Sequence, residues 1–564
     1  MIKDLKTTSE NLHVALEQYL RVCNGLFTLS SQGYVLSTLS EEDTQQVNTE
    51  LASISSYEER VREARLTMTR ARNRLFSFSP INSLPSEVLT HIFEMVVVSQ
   101  PCVMTTCYDE ASINRDYAYP DLLMSVCSRW RHIVESHPSL WVHIDFVPDS
   151  GQAKLISRAK TYAKRAQKKP LEIHIAGAEG AEYSYHDLVQ LLESLAGRMK
   201  ALEIFVAEED IGEFYPLVLE KLLPKSRPTT FTRFSLRSQR EHNNIFIIPS
   251  RSSQYGGQRV SSFIPVNLSQ EILERSFAPL KSLDLCAIFP GWKSKAYHGL
   301  VELRLTSSMD ELFSQIPEQD LIAILKASPG LRVLHFAIDI INQQKGSTLN
   351  GTVILKDLEE LEISSSYEFQ MRYKLKVGNL LRLLTPGNKP LSLMLQTMDY
   401  EPGASWEATK SFLARSNVTR FHAKTGAPLI DELLRRMPHL TDLIFSRLSA
   451  LGPAAEGITL DALNRAIKDA ATVKYPLSSL TVRDCPTYLD RLRLMVELCP
   501  TKSLTFCDCV FWENEEARKP MDDAQVAQLL SLFPAIKIVK KEKSPRKSDL
   551  APVYASNSDS DLEL

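Results

Sequence analysis

The stretch LKSLDLCAIFPGWKSKAYHGLVELRL, residues 280–305, contains one short pattern twice. In each copy an apolar residue is followed three and five positions later by two more: Leu280, Leu283 and Leu285, then Leu300, Leu303 and Leu305. The last two apolar residues alternate with a polar one, and successive strand side chains point to opposite faces. Each copy therefore predicts a short β-strand with one buried face.

The pattern recurs along residues 171–539, at an average spacing of about 30 residues. The clean copies are Met199/Leu202/Ile204, Phe231/Phe234/Leu236, Leu280/Leu283/Leu285, Leu300/Leu303/Leu305, Leu331/Leu334/Phe336, Leu358/Leu361/Ile363, Leu440/Leu443/Phe445, Leu477/Leu480/Val482 and Phe533/Ile536/Ile538. Weaker copies are Val418/Phe421/Ala423 and Thr501/Leu504/Phe506, and Ile175 and Leu395 are further strand ends. No single copy can bury its apolar face alone, so stacking of neighbours must supply the core.

Helix-like apolar runs precede many of these strands, for example LVQLLESL at 188–195 and LIAILKAS at 321–328. Several runs are followed by a proline, which stops a helix just before the next strand. Strands alternating with helices predict an α/β fold with a parallel sheet.

This region resembles the leucine-rich repeat, in which each turn contributes one strand and one helix. The resemblance implies a solenoid with a parallel sheet over residues 153–540. Spacing between copies is uneven, which predicts an irregular solenoid, and residues 237–270 are predicted to form a long insertion loop. Cys485 and Cys509 fall on the Asn/Cys position of the repeat.

A second pattern lies upstream, in SPINSLPSEVLTHIFEMV (79–96) and YPDLLMSVCSRWRHIVESHPSLWVHIDF (119–146). Ser83 is a suitable helix cap, and Pro85 is tolerated in a first helical turn. Apolar residues at helical spacing, Leu122, Val126, Trp130 and Ile133, predict one face of a second helix. The segment predicts a bundle of about three helices with more apolar side chains than it can bury, which usually marks a partner.

The LPxExLxxIF start, the VCxxW centre and the PxLW end of this segment resemble the F-box. With the ragged repeats, the chain is similar to the F-box-like proteins expanded in mushroom-forming fungi. The resemblance implies that the module, residues 80–146, docks on a Skp-type adaptor that leads to a cullin–RING (SCF-type) ubiquitin ligase. The residues it assigns to adaptor binding are Leu84, Pro85, Glu87, Leu89, Ile92, Phe93, Val126, Trp130 and Trp141. Residues 97–120 are an insertion relative to the family, and a longer loop costs only ~0.6 kcal/mol per doubling.

Three other segments complete the domain organisation. Residues 1–40 are weakly patterned and predict a short helix at 11–20 together with a Ser/Thr-rich loop. Residues 41–79 predict an amphipathic helix whose stripe includes Leu51, Val61 and Met68; it either docks on its own domain or forms a coiled coil with a partner. Residues 541–564 have the charged composition of a disordered tail.

Composition argues against several functional classes. The net charge of −3 gives no global attraction to nucleic acid or to a membrane surface. The N-terminal sequence lacks the apolar stretch of a secretory signal, and no apolar run is long enough for a transmembrane helix. Nine cysteines without a CxxC pair argue against a disulfide framework and favour a cytoplasmic or nuclear location.

The residues predict no enzyme, because no phosphate-binding, dinucleotide-binding, nucleophile-elbow or HExxH motif occurs. No cofactor and no metal site are predicted. Cys485, Cys499, Cys507 and Cys509 lack the paired spacing of structural zinc sites.

The expected function is therefore substrate recognition in an F-box-type ubiquitin ligase, with an unknown protein substrate bound by the repeats. The alternative is a scaffold with the same folds and no ligase link. The residue between the last two anchors of each copy should point away from the core. This row contains Glu203, Ser235, Asp284, Arg304, His335, Glu362, Ile444, Thr481, Thr505 and Lys537, of which Asp284, Arg304, His335 and Glu362 are the candidate substrate contacts. The alternative is that the row consists of ordinary solvated strand residues and that the substrate binds to the loops.

Overall fold

The computed structural model describes residues 2–31, 40–74, 80–98, 120–146, 152–176, 185–206, 212–238, 244–250, 263–307, 314–341, 352–363, 376–396, 404–424, 434–446, 475–513, 520–522, 524–527 and 536–539. The chain divides into two compact units, Met1–His91 and Ile92–Leu564. The predicted charged tail and most of the predicted insertion at 97–120 lie outside the described residues.

The helices are α1 (Ile2–Ser31), α2 (Glu41–Arg74), α3 (Ser86–Val98), α4 (Asp121–Val126), α5 (Ser128–Ser136), α6 (Gln152–Arg165), α7 (His186–Leu195), α8 (Phe214–Leu222), α9 (Gln270–Phe277), α10 (Glu318–Ala327), α11 (Val377–Leu381), α12 (Ala404–Ala414) and α13 (Leu489–Leu498). Short 3-10 helices at Pro80–Ser83 and Pro138–Trp141 flank the helices of the predicted F-box-like module.

The prediction for residues 1–40 is wrong in part, because α1 is a continuous helix of 30 residues that contains and extends the predicted helix at 11–20, while residues 32–39 lie outside the described residues. Ser and Thr residues favoured a loop in the sequence. In the structure the hydroxyls of Thr7, Thr8 and Thr28 each donate to the backbone carbonyl four residues earlier, which satisfies them inside the helix.

The second helix of the predicted module is also interrupted. Cys127 is extended, with φ −160° and ψ 168°, and its Sγ accepts a hydrogen bond from the backbone N–H of Trp130. The chain therefore forms α4 and α5 instead of one helix. As a result Leu122 and Val126 are exposed while Ile133 is buried, so the predicted single apolar face does not exist.

The first strands are β1 (His143–Phe146), β2 (Leu171–Ala176), β3 (Met199–Val206), β4 (Arg233–Ser238), β5 (Ile245–Pro249), β6 (Phe263–Val266), β7 (Ser282–Cys286), β8 (Ile288–Pro290), β9 (Glu302–Thr306), β10 (Gln315–Pro317), β11 (Val333–Ala337) and β12 (Asp339–Ile341). The remaining strands are β13 (Val353–Leu355), β14 (Glu360–Ile363), β15 (Leu384–Pro386), β16 (Leu391–Gln396), β17 (Val418–Lys424), β18 (Asp442–Ser446), β19 (Leu477–Arg483), β20 (Pro486–Tyr488), β21 (Thr501–Cys507), β22 (Val510–Trp512) and β23 (Ile536–Val539).

One sheet of fourteen strands dominates the second unit, in the order β1-β2-β3-β4-β7-β9-β11-β14-β16-β17-β18-β19-β21-β23. Strand order follows chain order, and every pairing in this sheet is parallel. The predicted α/β class with a large parallel sheet and N-terminal helices is confirmed. The sheet begins one strand earlier than predicted, because β1 comes from the end of the module.

The middle apolar anchors of the predicted copies lie opposite one another across the sheet. Leu202 pairs with Phe234, Phe234 with Leu283, and Leu283 with Leu303, and all of these side chains are buried. Since strand side chains alternate, the residues between the anchors form a row on the opposite face.

The predicted long insertion at 237–270 is wrong in part. Residues 239–243 and 251–262 lie outside the described residues, but β5 and β6 pair with each other and β5 also pairs with β8. Phe246 contacts Trp292, with ring centroids 5.6 Å apart. This small parallel sheet carries its own apolar contacts, which the three-anchor pattern cannot reveal.

Candidate functional site

A row of mainly polar side chains crosses the large sheet in register. Its members are Asp145, His174, Glu203, Ser235, Asp284, Arg304, His335, Glu362, Met394, His422, Ile444, Thr481 and Thr505, and the backbone register continues to position 537. We call this set the strand row. The structure thus brings the four candidate substrate contacts, Asp284, Arg304, His335 and Glu362, to neighbouring positions on four successive strands.

The first end of the strand row holds a cluster of histidines and carboxylates. Asp145 Oδ1 lies 2.8 Å from His143 Nε2 and 3.4 Å from His174 Nδ1. The two imidazole rings contact edge to face, with centroids 4.1 Å apart. Glu203 Oε1 lies 3.8 Å from His174 Nε2, and Glu172 lies opposite His143 on the neighbouring strand.

This environment shifts the pKa values of Asp145 and His143. Burial alone would raise the pKa of Asp145, but hydrogen bonds with His143 and His174 outweigh it and hold that pKa well below its usual range. Burial alone would lower the pKa of His143, but its hydrogen bond with Asp145 and the nearby carboxylate charges produce a net rise. The cluster therefore stabilises negative charge on Asp145 beside positive charge on His143.

The middle of the strand row is held by ion pairs. Arg237 pairs with Asp284, and Arg304 Nε donates to Glu302 at 2.8 Å. The hydroxyl of Ser282 also donates to Glu302, at 2.8 Å. Acidic and basic groups alternate here, so a ligand would meet local charge pairs instead of a field of one sign.

A second histidine cluster lies further along. His335 Nε2 is 2.6 Å from Glu360 Oε1, and His335 Nδ1 is 3.4 Å from Glu362 Oε2. This cluster has one imidazole and two carboxylates, which lie within 4.8 Å of one another.

The adjacent surface carries an exposed ion-pair network. Glu359 accepts from Arg332 at 2.6 Å and from Lys389 at 3.0 Å. These hydrogen bonds lower the pKa of Glu359 to about 2.

The residues that the F-box resemblance assigns to adaptor binding differ in exposure. Pro85, Glu87 and Val126 are exposed, Leu84, Ile92 and Trp130 are half-buried, and Leu89, Phe93 and Trp141 are buried. Buried side chains cannot reach a partner without rearrangement. In this conformation the exposed members, together with the exposed Val88, Met95 and Leu122, are the ones that offer apolar or charged groups.

Trp141 shows why some of these residues are buried. Its Nε1 donates to the Val134 carbonyl at 2.8 Å, Arg165 lies 4.3 Å above its ring, and Tyr162 contacts its edge. Phe93 packs on Trp130, with ring centroids 4.7 Å apart. These aromatic residues hold the helices of the second unit together.

The cysteines of the repeat positions have structural partners. Cys485 Sγ donates to the Arg483 carbonyl at 2.9 Å, and Cys509 Sγ donates to the Val482 carbonyl at 3.3 Å. Asp484 and Asp508, just before them, have φ of 48° and 54°, so each thiol follows a left-handed turn residue. Among the described residues, no group that could hold a metal includes a cysteine.

Sequence reasoning missed the cluster around His143 and His174, because these residues are far apart in the chain and meet only through strand register. Two short segments carried the signal: His143-x-Asp145 in β1 and Glu172-x-His174 in β2 have the same i, i+2 spacing of chemical groups. Aligning the two strands would have placed them together.

No protein-family model matches the chain, and no curated protein matches it. Within the parts of the chain that the structure describes, no helix has the length and apolarity required to cross a membrane.

Proposed function

We propose that this protein is a non-catalytic, F-box-type substrate receptor. In this proposal the helical module binds a Skp-type adaptor of a cullin–RING ubiquitin ligase, and the sheet domain binds a protein substrate. The observation that carries the proposal is the LPxExLxxIF…VCxxW…PxLW pattern, combined with apolar side chains that are exposed in the same stretch of sequence: Val88 in the first unit, and Leu122 and Val126 together on α4 in the second. A contiguous exposed apolar patch marks a partner surface, and the proposal assigns that role to α4.

The sheet supports the second half of the proposal. Fourteen parallel strands follow one another in chain order, and the buried anchors repeat in register. We propose that this is a degenerate leucine-rich-repeat solenoid, in which each unit stacks mainly on its neighbours. The strand row then offers a long surface of paired charges for a substrate.

The competing function is a scaffold that uses the same surfaces without a ligase link. Adaptor binding separates the two, because only the receptor requires it. Purified full-length chain should bind a purified Skp-type adaptor, and replacing Leu84 and Pro85 together by alanine should weaken binding about 30-fold, or ~2 kcal/mol.

Pro85 provides the cleaner part of this test, because it is exposed while Leu84 is half-buried. The circular dichroism spectrum should therefore be compared for the two single variants and the wild type. Failure of the wild-type chain to bind the adaptor, with its fold intact, would leave the scaffold as the better function.

A further inference from the structure

The edge of the large sheet at β1 and β2 gathers three metal-binding side chains. His143, Glu172 and His174 each offer one ligand atom, and these atoms lie within 4.8 Å of one another. His143 is opposite Glu172 in the parallel pairing, and Asp145 is opposite His174. A paired backbone therefore fixes the spacing of the groups.

Asp145 supplies a second, independent feature. Its Oδ1 contacts one nitrogen of each imidazole, at 2.8 Å for His143 Nε2 and 3.4 Å for His174 Nδ1. Carboxylates in this position orient histidine ligands and raise their basicity. The nitrogens left to hold a cation are then Nδ1 of His143 and Nε2 of His174, and the latter also lies 3.8 Å from Glu203 Oε1.

The charge balance also favours a cation. Asp145, Glu172 and Glu203 are three carboxylates, and the cations nearest to them are Lys200, 2.9 Å from Glu172, and Arg233, 3.8 Å from Glu203. Both cationic side chains are nearly half exposed. Exposed ion pairs contribute only about 0–1 kcal/mol, so a divalent ion can displace the lysine from Glu172.

We propose that the β1–β2 edge binds a divalent cation of the zinc type through His143, His174 and Glu172. Mixed imidazole and carboxylate ligands suit Zn²⁺, whereas Mg²⁺ and Ca²⁺ require oxygen ligands. Zinc bonds of about 2 Å require the three side chains to close by roughly 1 Å. The ion would cross-link the first two strands and keep a fourth coordination position for water or for a partner's side chain.

The test is calorimetric titration of chelator-treated full-length protein with Zn²⁺ and, separately, with Mg²⁺. One Zn²⁺ per chain should bind, and Mg²⁺ should not. The double variant His143→Asn, His174→Gln should bind Zn²⁺ at least 100-fold more weakly. His335→Gln is the matched control: it removes the one imidazole of the other cluster and should leave this affinity unchanged.

An X-ray absorption spectrum of the zinc-loaded wild type avoids any dependence on how the variants fold. It should show two imidazole ligands and oxygen. Sulfur ligation, wild-type affinity in the double variant, or no binding at millimolar Zn²⁺ would each overturn the site.

A separate observation concerns α2 in the first unit. Tyr57, Val61 and Met68 lie on its apolar stripe, and their exposed fractions are 51%, 56% and 55%. The alternating spacing of three and four residues from Ile54 to Met68 is that of a coiled-coil seam. Ile54 is half-buried and Tyr19 of α1 donates to Glu50 at 3.4 Å, so the part of the stripe that is available to a partner runs from Tyr57 to Met68.

The charges of α2 are segregated along the helix. Residues 41–59 contain six acidic residues and no basic one, whereas residues 60–72 contain five arginines and one glutamate. A parallel copy would place like charges together. An antiparallel copy places each acidic half beside a basic half, and e/g-type charge pairs of this kind set coiled-coil orientation.

We infer that α2 pairs with α2 of a second copy of this chain in antiparallel orientation. In this orientation the acidic half of each helix, residues 41–59, lies along the basic half of the other, residues 60–72. The pairing spans a helix of 34 residues, about 51 Å long.

Sedimentation analysis of the full chain tests this pairing. The wild type should dimerise, and replacing Arg65, Arg70 and Arg72 by glutamate should weaken dimerisation at least 10-fold. Replacing Glu41, Glu42 and Glu58 by lysine should also weaken it, while Glu50 is kept because it accepts a hydrogen bond from Tyr19 of α1. Mixing the two variants should restore dimers, because the lysines introduced in the acidic half of one variant then face the glutamates introduced in the basic half of the other.

The helix content of each variant should be measured by circular dichroism, so that a loss of dimerisation can be distinguished from a loss of helix. A monomeric wild type with intact helices would overturn the pairing. So would wild-type dimerisation by the variant with glutamate at positions 65, 70 and 72, or failure of the mixed variants to associate.

Discussion

The apolar residues of α4 give the sharpest test of adaptor binding. Leu122 and Val126 are 47% and 58% exposed. Full burial of such a side chain contributes about 1.5–3 kcal/mol, so burying the exposed half of each against a partner contributes about 1 kcal/mol. Replacing both by alanine should therefore weaken adaptor binding by about 2 kcal/mol, or about 30-fold.

The same double variant should fold normally, because exposed substitutions usually change stability by no more than about 0.5 kcal/mol. Ile354→Ala is the matched control: Ile354 is also 58% exposed but lies on β13 of the sheet domain. Leu123→Ala provides the opposite control, since Leu123 is buried and its truncation should cost about 2–5 kcal/mol of stability.

The assay is calorimetric binding of each variant to a purified Skp-type adaptor, with a thermal melt of the same sample. Adaptor affinity within twofold of wild type for the α4 double variant would refute the assignment of α4 to the contact. An equal loss for Ile354→Ala would show that the effect is not local to the module.

Three further tests address the sheet domain. Reversing the charges of Arg304 and Glu362 together should weaken co-purification of the bound protein partner and leave adaptor binding unchanged; equal capture would move the contact away from the strand row. Because the pKa of Glu359 lies below its unfolded value, its stabilisation is present above the unfolded pKa and is lost as pH falls toward 2. The melting difference between wild type and Glu359→Gln should therefore narrow from pH 5 to pH 2, and a constant difference would contradict the ion-pair account. A Cβ at Gly378 would overlap the Ser405 backbone, so Gly378→Ala should cost about 1–3 kcal/mol in urea unfolding, whereas Gly330→Ala, with open space around it, should not.

The strands were predictable from the sequence because a few neighbouring residues are enough to indicate each one. Each copy places two buried side chains two positions apart, as in Leu283 and Leu285, and both are buried in the structure. A parallel sheet adds the constraint that successive copies lie side by side, so the strand row follows from the same pattern. Four members of the row were not singled out in the sequence: Asp145 and His174 at its first end, and Met394 and His422 within it.

Features that depend on which of two local hydrogen-bonding partners a side chain or backbone group selects were not predictable from the sequence. Thr7 and Thr28 favour loops in isolation, yet helical carbonyls satisfy their hydroxyls in α1. The break at Cys127 follows from one extended residue whose sulfur accepts from the Trp130 N–H. Apolar residues spaced three and four apart look the same in the sequence whether or not the helix breaks between them, so their spacing could not reveal this break.

The histidine cluster was out of reach for a different reason. His143 and His174 become neighbours only when β1 and β2 are paired in one particular register, and a shift of one residue would turn one set of side chains to the other face. The residues of β1 were predicted to belong to the helical module, so the sequence pattern did not predict their pairing with β2. Because Asp145 contacts both imidazoles, the first strand is joined to the sheet by side-chain contacts as well as by its backbone hydrogen bonds. A ligand at this cluster would therefore bind at the point where the chain passes from the module into the sheet. For this reason the zinc affinity of the cluster and the adaptor affinity of the module should be measured on the same protein.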